Sequence, residues 1–182
     1  MIDFTLALVG AGPLPELLMR EGAQQLADRF SAELVPLACG SEPHSGLQAL
    51  ASRQRERNRP TLLRLSGDAA MLQGSSGSWF DALAAWRCPV LLLAQPNAAG
   101  LIPGIAPASV ALCHSLSIPL VGLAQLGGSW DSAARRMDGL PWCGLLDPTD
   151  GGEASDALVR SIQQRWKRMN PGISSDLAKL AG

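Results

Sequence analysis

The sequence alternates between short apolar runs and segments of helical periodicity along almost its whole length. Six runs are predicted to be strands, at residues 4–9, 32–38, 61–67, 88–96, 118–126 and 140–148, and the run at 4–9 has the continuous apolar character of a strand buried on both faces. Segments with helical spacing lie at residues 14–30, 47–58, 78–87, 108–116 and 153–169. This alternation predicts an α/β fold, with a mostly parallel sheet and helices on both of its faces. We expect a single domain over residues 1–170 and a loosely ordered tail over 171–182.

The charge balance gives no reason to expect nucleic acid or a membrane as a partner. Of the 182 residues, 47% are hydrophobic and 17% are charged, and the formal net charge is −1. Such a chain carries no basic field for phosphates or anionic lipid. No apolar run approaches the roughly 18–20 residues that span a bilayer. Asp3 also stands where a signal peptide carries positive charge, so we expect a cytoplasmic location.

The cysteines and histidines predict neither a metal nor a cofactor. The cysteines are scattered, without a C-x-x-C pair, at Cys39, Cys88, Cys113 and Cys143. In a chain of this size they are expected to be reduced, buried thiols. His44 and His114 share no ligand spacing with them.

The turn after the first apolar run contains the glycines of a phosphate-binding loop but lacks its other groups. Gly10 and Gly12 allow close backbone approach, whereas Pro13 and Pro15 remove two of the N–H groups that would hold phosphate. The sequence "PELL" stands where G-K-[ST] would fall, and Pro15 occupies the position of the third glycine of G-x-G-x-x-G. Taken by itself, the turn predicts little phosphate affinity.

A second segment, "GSSGS" at 74–78, resembles the nucleophile elbow of hydrolases only in part. The third position of G-x-S-x-G is Ser78 rather than glycine, and the segment does not follow a strand directly. Ser78 is better explained as the cap of the helix that begins there. His114 lies within an apolar helix and is interpreted as a core or helix-end residue.

Several segments, in their order along the chain, resemble the dethiobiotin synthetases and the related cobyrinic acid amide synthase type of P-loop ATPases. The longest is "SWFDALAAWRCPVLLLAQPNAAGLIPGIAPASVALCHSLSIPLVGLAQL" (78–126). Shorter ones are "LVPLACG" (34–40), "LLRLSGDAAML" (62–72) and "LPWCGLL" (140–146). The resemblance implies a P-loop NTPase-like, three-layer α/β/α fold and a dimer with sites at its interface.

The charged residues of that family are replaced in this chain. The lysine and threonine of the family's P-loop (Walker A) motif fall near Leu17 and Leu18, and its second lysine falls on Val35. The acid that helps to hold magnesium falls on Ser66, with Asp68 two positions later. The asparagine that reads adenine falls near Leu126, beside Gln125. Arg20 and Arg64 are the cations that could compensate, one a turn into a helix and the other in a strand.

These observations lead to one main hypothesis and two alternatives. The main one is a non-catalytic or diverged protein that binds a small ligand or a partner, as a homodimer or with a related chain. Its candidate ligand-binding residues are Gly10, Gly12, Gly40, Ser66, Asp68, Gln125, Pro141 and Asp147. Trp79, Trp130 and Trp142 are candidate exposed aromatics of a partner surface.

The first alternative is an enzyme of changed chemistry at the same crevice, using Asp68, Gln125, Asp147, Ser75 and Ser76. The second is a nucleotide binder like the universal stress proteins, since "GSSGSWFDALAAWRCPVLLLAQP" resembles the end of their sequences.

Overall fold

The computed structural model describes residues 4–57, 59–149 and 153–170, which form one six-stranded sheet and the helices around it. The strands are β1 (Thr5–Gly10), β2 (Glu33–Ala38), β3 (Thr61–Ser66), β4 (Val90–Ala94), β5 (Leu120–Leu126) and β6 (Trp142–Leu146). The helices are α1 (Glu16–Phe30), α2 (Pro43–Arg57), α3 (Trp79–Ala85), α4 (Ile105–Ser115), α5 (Ser132–Met137) and α6 (Glu153–Met169). A short 3-10 turn lies at Gly74–Ser76.

The strand order is β2-β3-β1-β4-β5-β6, and every neighbouring pair is parallel. The carboxyl ends of all six strands therefore meet at one edge of the sheet, called here the carboxyl edge, and the opposite edge is the amino edge. β2 is an outer strand, which is where a proline such as Pro36 is tolerated because one side of the strand needs no hydrogen bonds.

Successive strand residues alternate between two apolar cores, one on each face of the sheet. Ala7 and Val9 belong to the core beneath α2, α3 and α4. Leu6 and Leu8 belong to the core beneath α1 and α6. This arrangement confirms the predicted three-layer α/β/α fold.

Some helix boundaries differ from the predictions for physical reasons. α2 begins at Pro43 instead of residue 47, because the Glu42 carboxylate accepts the N–H groups of His44 and Ser45 and closes the first turn. α5 was not predicted. It is only six residues long, and the Asp131 carboxylate holds its start by accepting the N–H groups of Ala133 and Ala134. α6 has the predicted bounds.

Three helices end at the amino edge in a left-handed residue that is not glycine. These are Ser31 after α1, Arg87 after α3 and Ser117 after α4, with φ of 51°, 50° and 56°. At α3 the N–H of Arg87 donates to the Ala84 carbonyl and that of Cys88 to the Leu83 carbonyl. Glycine adopts this conformation at lower cost, so each of these residues carries a small strain.

The four cysteines are buried, free thiols, as predicted. Burial raises the pKa of Cys88 to about 12 and that of Cys113 to about 11. No helix among the described residues has both the length and the apolarity needed to cross a lipid bilayer. The predicted tail at 171–182 lies outside the described residues.

Candidate functional site

The turn between β1 and α1 offers few free N–H groups. The Ala11 N–H donates to the Leu93 carbonyl of β4 at 2.8 Å. Pro13 and Pro15 have no N–H, and α1 begins at Glu16 without a side-chain cap. A phosphate-binding loop needs several N–H groups that converge on the anion. This turn directs one of them into the sheet and lacks two others.

The two glycines of the turn accommodate the protein's own atoms. A Cβ atom at Gly10 would lie 2.6 Å from the Gly12 carbonyl oxygen and 3.3 Å from the Leu14 side chain. A Cβ atom at Gly12, where φ is +91°, would lie 3.0 Å from the side chain of Ile105. Glycine is therefore required here for the chain to fold back on itself and for α4 to pack against it.

An ion pair, buried only on the side of Arg64, joins the start of α1 to β3. The guanidinium of Arg64 donates to the carboxylate of Glu16, and the side chain of Arg64 is 9% exposed. A carboxylate in the first turn is favourable for the helix dipole. It also places a negative charge where a phosphate group would bind, and it neutralises Arg64. Arg20, the other cation considered for compensation, is exposed one turn further along α1.

The ends of β2 and β3 are tied together by local hydrogen bonds. The Cys39 N–H donates to the Ser66 carbonyl at 2.8 Å, and the Ser66 hydroxyl donates to the Leu37 carbonyl at 3.3 Å. Asp68 is exposed, and its carboxylate accepts the Ala70 N–H. Burial raises the pKa of the Cys39 thiol to about 11, and the charge of Asp68 adds to this shift.

The other residues aligned with this region of the family differ in their surroundings. Gly40 is exposed, with open space around it, whereas Val35 packs against the apolar core of its face. Val35 is therefore half-buried and directed towards the core, away from the carboxyl edge.

Gln125 holds a loop in place through a fully buried side chain. Its amide nitrogen donates to the carbonyls of Gly127 and Ser129 at 2.9 and 3.0 Å, and its oxygen accepts the Nε–H of Arg135 at 3.0 Å. Arg135 is also buried and donates to the Gly100 carbonyl in the next loop at 2.8 Å. These contacts join the β5–α5 loop to the β4–α4 loop, and they leave the Gln125 side chain without exposed surface.

The tryptophans differ from the predicted set of exposed aromatics. Trp79 is fully buried, so its assignment to a surface was wrong: it packs beneath Gly46 in the core between α2 and α3. Trp130 and Trp142 are half-buried and meet edge to face at 6.0 Å. Arg135 lies 5.3 Å from the Trp142 ring, so this aromatic pair extends the buried network.

Two further candidates lie at opposite ends of β6. Asp147 follows the strand, and its carboxylate accepts the N–H and hydroxyl of Thr149 at 2.9 and 2.7 Å. Pro141 precedes the strand, and its carbonyl accepts the Leu123 N–H and an Arg165 N–H. The structure therefore separates Pro141 from the candidates at the carboxyl edge, because the whole of β6 lies between them.

The groups of the alternative enzyme are engaged in local structure. Ser75 and Ser76 form the 3-10 turn, and Ser78 caps α3 as predicted, exchanging hydrogen bonds with Asp81. His114 is exposed near the end of α4, which agrees with its interpretation as a helix-end residue. In the described parts of the chain no serine or cysteine is hydrogen-bonded to a histidine. Nor do three His, Cys, Asp or Glu side chains among these residues come together as a metal site would require.

The exposed apolar side chains at the carboxyl edge were not predicted from the sequence. Of the eight large hydrophobic side chains that are exposed in the described residues, five lie here. We call them the edge surface: Leu17, Met71, Leu72, Leu101 and Ile105. They stand on the loops and helix starts that follow β1, β3 and β4, which are adjacent in the sheet. Exposed apolar side chains grouped on adjacent loops in this way suggest an interaction site.

No sequence-family profile and no curated protein sequence matches the chain. Solved structures that are similar to it include a DUF1611 family protein from Anabaena variabilis, at 15% identity and a TM-score of 0.49. They also include chloroplast FtsY from Physcomitrella patens, at 13% identity and a TM-score of 0.45. The alignments cover 89% of this chain in both cases, but only 58% and 66% of the two proteins.

A de novo designed protein of P-loop NTPase fold is also similar, at 12% identity and a TM-score of 0.42, with 92% of this chain and 96% of that protein covered. Likeness at this level carries no information about activity. The order of the parallel strands and the two helical layers give the chain a P-loop NTPase-like, three-layer α/β/α fold.

Proposed function

We propose that this chain is a non-catalytic binding protein, derived from a dethiobiotin synthetase-like P-loop ATPase, whose carboxyl edge binds protein instead of nucleotide. The observation that carries the proposal is the ion pair of Glu16 with Arg64 at the start of α1. In a P-loop, this position offers positive charge and free N–H groups to phosphate. Here a carboxylate occupies it, and Pro13 and Pro15 reduce the number of donors further.

The edge surface supports the second half of the proposal. Its members are Leu and Ile side chains that are 49–73% exposed, together with one Met that is 48% exposed. Removing such side chains from water stabilises an interface by about 25 cal/mol for each Å² buried. Trp130 and Trp142 are engaged with each other and with Arg135, so the proposed surface rests on these aliphatic side chains.

The proposed occupant of the edge surface is a second copy of the chain. Arg20 and Asp68 are exposed and follow β1 and β3, so one cation and one carboxylate flank the apolar side chains. In the proposed two-fold dimer, Arg20 of each copy pairs with Asp68 of the other. Two-fold dimers bury the same patch on both subunits, and an apolar centre with rim charges of both signs is complementary to itself.

The first test is a thermal titration with ATP, ADP and pyrophosphate, each with and without magnesium. A ligand that binds only the native state raises Tm by mass action. We expect no rise with any of the three. A rise that depends on magnesium would overturn the assignment of the β1–α1 turn.

The second test is the molar mass in solution by light scattering and sedimentation, over a range of chain concentrations. The wild-type chain is expected to form a dimer, and Leu72→Asp and Leu101→Asp are expected to shift it to the monomer. Met137→Asp is the matched control, because Met137 is 87% exposed on α5 and outside the edge surface. A wild-type monomer at all concentrations would exclude the second copy, and a related chain would become the occupant to test.

A further inference from the structure

Two cavities open at the amino edge of the sheet, which is the edge opposite to the one that carries the edge surface. The larger has a volume of about 370 Å³ and lies between α2, the end of α3 and the end of α6. The smaller, of about 160 Å³, lies between the end of α1 and α6. Phe4 and Trp166 line both, and their rings meet at 5.4 Å. The larger cavity falls in the size range of small-molecule sites.

The larger cavity has flat aromatic walls and a cationic side chain. Trp86 and Trp166 present indole rings to it, and Arg87 is exposed beside Trp86. The Trp86 Nε1–H donates to His44 Nδ1 at 3.2 Å, which satisfies its polar atom and fixes the ring. The residues that line this cavity include no Asp or Glu, and Arg87 forms no ion pair with a described residue. The charge of the site therefore favours an anion.

One polar atom of Trp166, a residue that lines both cavities, lacks a partner. The Nε1–H of Trp166 is buried and has no hydrogen-bond acceptor among the described residues. A buried donor left without an acceptor costs about 1–3 kcal/mol, and a buried indole N–H usually finds a partner. Because this atom has almost no accessible surface, it does not open into either cavity, and the candidate site rests on the indole rings and on Arg87.

We propose that the larger cavity binds a flat aromatic carboxylate of one or two fused rings. The ring packs against the indoles of Trp86 and Trp166, and the acid group pairs with Arg87. Arginine binds a carboxylate through two N–H groups in one plane, and aromatic walls favour a planar ligand. This site is independent of the edge surface and of the fate of the β1–α1 turn.

The test compares two fluorescent probes that differ by one charged group. 1-Anilinonaphthalene-8-sulfonate is an aromatic anion with a flat naphthalene unit, and N-phenyl-1-naphthylamine has the same rings without the sulfonate. In wild-type protein we expect both probes to bind, and 2-naphthoate to displace them. Arg87→Gln removes one charge-assisted pair, so it is expected to lower the affinity for the anionic probe by about tenfold. The affinity for the neutral probe is expected to change by less than about twofold.

Three further variants separate the site from folding and from other surfaces. Arg87→Gly relieves the left-handed strain, so it is expected to fold at least as stably as wild type while it loses anion affinity. Arg136→Gln, at an exposed position of α5, and Leu72→Ser, on the edge surface, are expected to leave the affinity for both probes unchanged.

The proposal is overturned if neither probe binds, if Arg87→Gln weakens the binding of both probes equally, or if Leu72→Ser abolishes binding of the anionic probe. The Leu72→Ser result would place the dye on the edge surface.

Discussion

The carboxylate of Glu16 accepts a hydrogen bond from the buried guanidinium of Arg64, across the start of α1. The two residues are 48 positions apart in the chain, and the parallel pairing of β1 with β3 brings them together. Their charges cancel at the place where this type of fold offers positive charge to a ligand. The pair therefore affects both the stability of the chain and its capacity to hold an anion.

Neutralising Glu16 is expected to destabilise the chain more than removing both partners of this pair. Glu16→Gln leaves the cation of Arg64 buried beside a neutral amide. Because the Glu16 side chain is 58% exposed, water screens the pair, and we expect the free energy of unfolding to fall by only about 1 kcal/mol. Arg64→Met and the double variant are expected to lie within about 0.5 kcal/mol of each other, since methionine fills the space without a charge. Urea denaturation of the four proteins measures this cycle, and an additive result would contradict the coupling.

Truncation of Gln125 is expected to act on stability. Gln125→Ala leaves Arg135 and two loop carbonyls without their partner in a fully buried site. We expect a loss of about 2–4 kcal/mol and a red shift of tryptophan emission, because Trp142 contacts Arg135. Gln125→Met keeps most of the volume and is expected to recover only the part of the loss due to the cavity. Wild-type stability in Gln125→Ala would instead favour a residue free to contact a ligand.

A serine-to-glycine change is expected to have opposite effects at two neighbouring positions. Ser117 has a φ of 56°, whereas Ser115 is the last residue of α4. Ser117→Gly removes the left-handed strain and is expected to stabilise the chain by about 0.5–1 kcal/mol. Ser115→Gly adds backbone entropy to the unfolded chain and is expected to destabilise the folded protein by up to about 1 kcal/mol. Thermal and urea unfolding compare the two, and equal effects would exclude the conformational explanation.

The thiols are expected to react slowly in the native state and to make stability depend on alkaline pH. Burial raises the pKa of Cys88 to about 12 and that of Cys39 to about 11. These values exceed the unfolded value of about 8.5, so the fold favours the neutral thiols. Their contribution is complete below about pH 8 and is lost as pH rises towards the folded values of about 11 and 12.

Two measurements check this behaviour. An aromatic disulfide reagent at pH 8 is expected to label all four cysteines in denaturant and to label the native protein far more slowly. The free energy of unfolding is expected to decline above about pH 9, and Cys88→Ala is expected to reduce that decline. Rapid labelling of the native chain would show that the helices open more easily than the buried cores indicate.

The strands were predictable because strands buried on both faces become continuous apolar runs. β4 and β5 are the clearest cases, with every residue of β4 buried. α5 was missed because six residues are too few for a periodic pattern, and its Asp131 cap was the only local signal. Trp79 and Leu83 have the i, i+4 spacing of one helix face, which is a signal that could have placed Trp79 in the core.

The candidate site was less predictable, because burial and pairing depend on contacts distant in sequence. Arg64 faces Glu16, and Gln125 faces Arg135, only after the sheet has formed. The exposure of Leu17 and Leu72 likewise depends on where the start of α1 and the loop after β3 lie on the folded sheet. The local sequence around such a leucine does not indicate whether the side chain is buried or exposed.

The closeness of Gly10 to the Gly12 carbonyl limits how this chain can change over evolutionary time. A lysine at Leu17 would still face a turn with two prolines and a carboxylate, so the substitution alone would bring no phosphate affinity. Replacement of Pro13 or Pro15 would add N–H groups to a loop whose space is already filled by Leu14 and Ile105. Several changes would have to occur together before selection could favour any of them. A single substitution at this turn is therefore not expected to restore a nucleotide site.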